Sequence, residues 1–132
     1  MTQSIKTEIG SGELIDKITI LEIKSNRIAD VDKLKNVKHE LSMLSATRDA
    51  HLSGIDGLGD LATQLKAINE ALWEIEDDIR ACEAQKDFGQ KFIDLARAVY
   101  ITNDKRAAVK KEINLLTGAT IIEEKSLSLI HI

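Results

Sequence analysis

The residues best equipped for chemistry gather in one stretch, where Arg97, Tyr100, Asn103, Asp104, Arg106, Lys110 and Asn114 follow one another. They supply cations, a phenol, a carboxylate and two amides but no nucleophile, so the task that suits them is holding a small anionic ligand. Arg106 is the pivot. At helical spacing it shares a stripe with Val99, Val109 and Ile113, and a guanidinium on an apolar seam is costly to bury unless it is paired. Either a carboxylate such as Glu76 or Asp77 satisfies it, or it waits for an anionic ligand; polar seam residues also serve to fix register. Arg97, Tyr100 and Asp104 lie at steps of three and four, a polar strip alongside the seam that could line a groove.

Other candidate chemistry is weaker. His39 and His51 are not at chelating spacing, no HExxH occurs and Cys82 has no partner at CxxC spacing, so no metal site is expected. Cys82 falls on an apolar seam and reads as a small hydrophobe. Gly54-Ile-Asp-Gly-Leu-Gly59 precedes a helix start, where backbone N–H groups can hold phosphate. It lacks the Lys-Ser/Thr of a P-loop, follows a helix, and carries Asp56 beside Asp60, so it reads as a turn. Trp73, beside Leu72, reads as partial core. Glu13, Asp16 and Lys17 read as dipole and surface residues near a helix start. No cofactor motif is present.

These residues must be positioned by helices. Phe88, Phe92, Leu95, Val99, Thr102, Arg106, Val109, Ile113 and Leu116 make a seven-residue repeat, and Leu61, Leu65, Ile68, Leu72, Ile75, Ile79 and Cys82 make a stricter one. The spacing predicts helices over 60–84 and 88–116 joined by a short turn, with Asp87 and Gln90 as a capping box and Gly118 as the stop. Such a pair forms an antiparallel hairpin. It would set the acidic run Glu74, Glu76, Asp77 and Asp78 against Arg97, Lys105, Arg106, Lys110 and Lys111, surface charges for the most part. Before it, Ser11 caps a helix from Glu13, firm to Ile18 and competing with a strand over Ile18 to Ile23, and Asp30 caps a second from Val31 to about Leu52. The fold expected is an all-α antiparallel bundle with coiled-coil-like seams, the first two helices lying along the hairpin. Ala119 to Ile122 could be a short extended segment at the bundle end. Seams this narrow admit one intramolecular partner or a second copy of the chain, so a homo-oligomer or a protein partner is expected.

Composition agrees. The 132 residues include no proline, 43% are hydrophobic and 3% aromatic. This is enough for one domain with a core of Leu, Ile, Val and Ala, free of the commonest helix breaker. Interspersed charge summing to −4 gives no field for nucleic acid or an anionic membrane. There is no apolar run of bilayer length and no secretory leader, and one cysteine cannot make an internal disulfide, so a cytoplasmic location is the default.

Four blocks stand in order: Ser11 to Lys24 (SGELIDKITILEIK), Asn69 to Arg80 (NEALWEIEDDIR), Phe92 to Asn103 (FIDLARAVYITN) and Ile121 to Ser126 (IIEEKS). Through them the chain is similar to a bacterial and phage family catalogued as a domain of unknown function. The resemblance covers residues 10–126 and implies a small, mainly helical intracellular protein. Relatives beside glycosyltransferase or tetratricopeptide modules hint at surface-glycan synthesis. The resemblance carries no catalytic residues. Leu127 to Ile132 is out of character where relatives place an aromatic, and it matches the translation of a transposon-end adapter. Residues 1–126 are therefore expected to form the domain, and 127–132 to be a non-native tail from an assembled environmental or draft genome.

Two functional classes follow. The first is a non-catalytic interaction or accessory module. The second is a small helical anion-binding protein or enzyme, similar in design to chorismate mutase, in which Arg27, Arg48, Arg106 and Lys110 converge on a dicarboxylate.

Overall fold

The helix Ser11–Arg27, α1, is buried on nearly every side, with Leu14, Ile15, Asp16, Ile18, Thr19, Leu21 and Ile23 all inside. Isoleucines on more than one face let a short helix touch several neighbours at once, and α1 packs against each of the other three helices. It is the central element. The structure, a computed structural model, describes residues 4–118; Ala119 to Ile122 and the tail 127–132 lie outside them.

The other helices are α2, Val31–His51; α3, Leu58–Ala84; and α4, Gln90–Thr117. All four expected helices are present and the described residues contain no strand. Ile18 to Ile23 belongs to α1, because three of its four apolar side chains are buried by helical neighbours. Asp30 caps α2 as expected, its Oδ1 accepting from the Lys33 N–H at 2.9 Å. Gly118, at φ 68°, ends α4 in the left-handed conformation that glycine adopts without penalty. Two details differ. Gly10, not Ser11, stands at the α1 cap. The capping box does not close, because Gln90 donates to Asp94 while Asp87 accepts from Gly89.

The α3 and α4 helices form the antiparallel hairpin, and its core is Leu58, Leu65, Val109 and Ile113 with Ile15 of α1. Cross-links at Gly12 to Asn114, Glu13 to Lys110 and Asp16 to Arg106 show that α1 runs antiparallel to α4. Contacts from Asp16 and Thr19 to Asn69, and from Arg27 to Glu74, make it parallel to α3. The second helix departs from expectation: α2 packs along α1 alone and does not reach the hairpin. None of its residues is fully buried. Leu34, Val37, Leu41 and Leu44 half-bury one face, and α1 occupies the place against the hairpin that a second helix would need.

Candidate functional site

On α4, Arg106, Lys110 and Asn114 recur every four residues, one stripe beside the apolar seam and turned towards α1. Asp16, 1% exposed, receives Arg106 in a two-toothed pair: Nε donates to Oδ1 at 2.9 Å and Nη2 to Oδ2. Asn69 of α3 donates through Nδ2 to Asp16 Oδ1 and to Thr19 Oγ1, both at 2.9 Å. The Thr19 hydroxyl in turn donates to the Asp16 carbonyl. One turn along, Lys110 donates to Glu13 Oε2 at 2.7 Å, and Asn114 Oδ1 accepts from the Gly12 N–H at 2.7 Å. Among the described residues no buried side-chain nitrogen or oxygen lacks a partner. This is a closed polar clamp across three helices.

Gly12 makes the clamp possible. A Cβ there would stand 2.3 Å from the Lys110 carbonyl oxygen, so only glycine lets the α1 backbone approach α4 this closely. Sequence reasoning named the α4 half of the clamp and missed the α1 half. The partner of Arg106 is Asp16, not Glu76 or Asp77, and Glu13 and Asp16 are not simply dipole residues. The available signal was the run around Asp16, where Leu14, Ile15, Ile18 and Ile20 surround a carboxylate with apolar neighbours on both sides of the helix. Asn69, one position off the α3 seam, gave a fainter one.

The seven sequence candidates therefore separate. Arg106, Lys110 and Asn114 join the clamp, and Asn103 adjoins it, its Oδ1 3.4 Å from Arg106 Nη1. Arg97, Tyr100 and Asp104 lie elsewhere. At roughly 100° per residue they point away from the seam, together with Ile93, and all four are exposed. None of the three lines the groove between α1, α2 and α3. Ile93, Tyr100 and Ile101 are about equally exposed, at 45%, 44% and 45%, and Leu115 continues the apolar stripe towards the end of α4 at 62%.

A groove of about 580 Å³ opens between α1, the end of α2 and the start of α3. Ile15, Ile18, Leu52, Ile55 and Leu58 form its floor, and Glu22, Arg48 and Lys66 stand around it. Gly54 and Gly57, at φ 76° and 87°, shape the loop beside it as a turn. Of the four cations considered for a dicarboxylate, only Arg48 lines this space, and it pairs with Asp49. Arg27 holds Glu74 and lies 5.7 Å from the ring centroid of half-buried Trp73, while Arg106 and Lys110 are in the clamp. They do not converge. The described residues contain no cluster of three metal-ligating side chains and no helix long and apolar enough to cross a membrane.

The chain belongs to the family of unknown function DUF6165, whose model matches residues 5–130. No curated protein and no solved structure matches it. The expectation of a family of unknown function is met, and the family itself carries no assigned activity.

Proposed function

We propose that this chain is a non-catalytic helical interaction module whose working surface is the outer face of α4. The observation that supports the reading is the division of that one helix. Arg106, Lys110 and Asn114 turn inward and hold Asp16, Glu13 and the Gly12 N–H of α1, whereas Ile93, Tyr100 and Ile101 face solvent. A clamp of this kind fixes α1 on the hairpin and so stiffens the helix that carries the apolar stripe. Exposed apolar side chains grouped on one face mark interaction sites more often than singly scattered ones do. The accessory role in surface-glycan synthesis hinted at by the family resemblance is compatible with such a module.

A thermal-shift screen of the full chain against inorganic phosphate, nucleotide sugars and small dicarboxylates tests this, with Arg106→Leu in parallel. Binding at a hundredfold excess over Kd adds about 2.7 kcal/mol to the folded state, a readily visible rise in Tm. No rise is expected from any of the compounds. A rise in the parent that is absent in an Arg106→Leu protein shown by circular dichroism to be folded would make the clamp an anion site and reverse the reading.

A further inference from the structure

We infer that the partner of the α4 outer face is a second copy of this chain, laid antiparallel across it with the two-fold axis between Tyr100 and Ile101. This rests on the proposed reading of that face and names its occupant.

The argument is one of charge and register. Ile93, Arg97, Tyr100, Asp104 and Lys111 fall within one narrow strip of α4, flanked by Ile101 and Ala108. A parallel, in-register pairing would set Arg97 on Arg97 and Asp104 on Asp104, which like-charge repulsion opposes. An antiparallel pairing about the midpoint of Tyr100 and Ile101 sets each Arg97 level with Asp104 of the second copy, twice by symmetry. The same register brings Tyr100 to Ile101 at the centre and Ile93 to Ala108 at each end, so apolar groups meet apolar groups and each charge pair lies between two apolar contacts. From Ile93 to Ala108 the strip is about 22 Å long at 1.5 Å per residue. A helix pair of that length falls below the roughly 1,200 Å² of a standard tight interface, so the dimer dissociates on dilution. Among the described residues nothing obstructs the approach, because α1 contacts α4 on the side of Arg106, Lys110 and Asn114, and α2 does not reach the hairpin.

Engineered cysteines and charge reversals test the register. Cys82, 4% exposed, is protected by burial and stays in place. An equimolar mixture of Ile93→Cys and Ala108→Cys chains should cross-link under mild oxidation, and either alone should not. In sedimentation velocity, Arg97→Asp and Asp104→Arg should each weaken self-association roughly tenfold or more, since each turns two attractive pairs into repulsive ones. Mixing those two variants should restore the dimer, because every pair is then complementary. Cross-linking by Ile93→Cys alone would overturn the antiparallel register. A chain that stays monomeric and forms no cross-link would overturn the second copy as occupant while leaving the functional reading standing. An anion response lost with Arg106 would overturn that reading, whatever the mass.

Discussion

Arg106 and Asp16, 90 positions apart in sequence, form a two-toothed ion pair in which the carboxylate is sealed and the guanidinium is not. The side chain of Asp16 is 1% exposed and that of Arg106 is 28% exposed. The pair ties the central helix to the hairpin, and Asn69 adds the third helix to the same carboxylate. An anion competing for Arg106 would have to leave Asp16 charged and buried. The geometry thus favours a structural use of this arginine.

That asymmetry predicts unequal costs. Arg106→Leu strands a buried carboxylate and should destabilise by about 3–5 kcal/mol, whereas Asp16→Leu leaves a guanidinium that reaches water and should cost less. The double variant should be more stable than Arg106→Leu alone. Equilibrium urea unfolding of the four proteins, treated as a double-mutant cycle, checks all three statements.

Gly12→Ala should separate α1 from α4, because the added methyl would meet the Lys110 carbonyl at 2.3 Å and loosen the bond from the Gly12 N–H to Asn114. A cost of about 1–3 kcal/mol is expected for such overpacking. Gly59→Ala is the matched control. No atom lies within 4 Å of its added Cβ and Gly59 sits inside α3, so it should be neutral or stabilising by up to about 1 kcal/mol. Thermal melts of the two variants separate the outcomes.

Since α2 touches only α1 and buries no residue fully, its amides should exchange with deuterium well before those of α1. Asp30→Ala removes its cap and should cost about 1 kcal/mol. Exchange read by mass spectrometry should locate the added opening in α2 and leave the α3 and α4 core protected.

The outer face of α4 should be cheap to change. Ile93→Ser and Ile101→Ser, at solvent-exposed positions, should alter the stability of a single chain by no more than about 0.5 kcal/mol. Leu65→Ala and Ile113→Ala, each 0% exposed, should cost about 2–5 kcal/mol. Denaturation at concentrations low enough to exclude self-association gives the comparison.

The helices were legible because heptad spacing, the Asp30 cap and the Gly118 stop are local signals. The hairpin followed from two long seams and a short turn. The centre of the molecule did not follow. Length drew attention to α4, whereas the density of isoleucine in α1 was the better guide to which helix would be surrounded. The position of α2 depends on which of two apolar faces wins a neighbour, and its weak segregation of polar from apolar residues did not decide that. At the candidate site, Arg106, Lys110 and Asn114 were visible because polar residues at four-residue steps on a buried helix need partners. Asp16 was missed because a carboxylate in the second turn of a helix satisfies the dipole rule equally well at the surface. Arg97, Tyr100 and Asp104 follow one another at similar helical steps, and only the fold shows that they face the other way.

Sedimentation velocity of the full chain beside Tyr100→Asp, over a wide range of concentration, tests the central claim most directly. The account predicts that the parent gains mass as concentration rises while Tyr100→Asp stays monomeric, with the Tm of the parent at dilutions where the parent too is monomeric. A Tyr100→Asp protein whose mass matches the parent's at every concentration would contradict it.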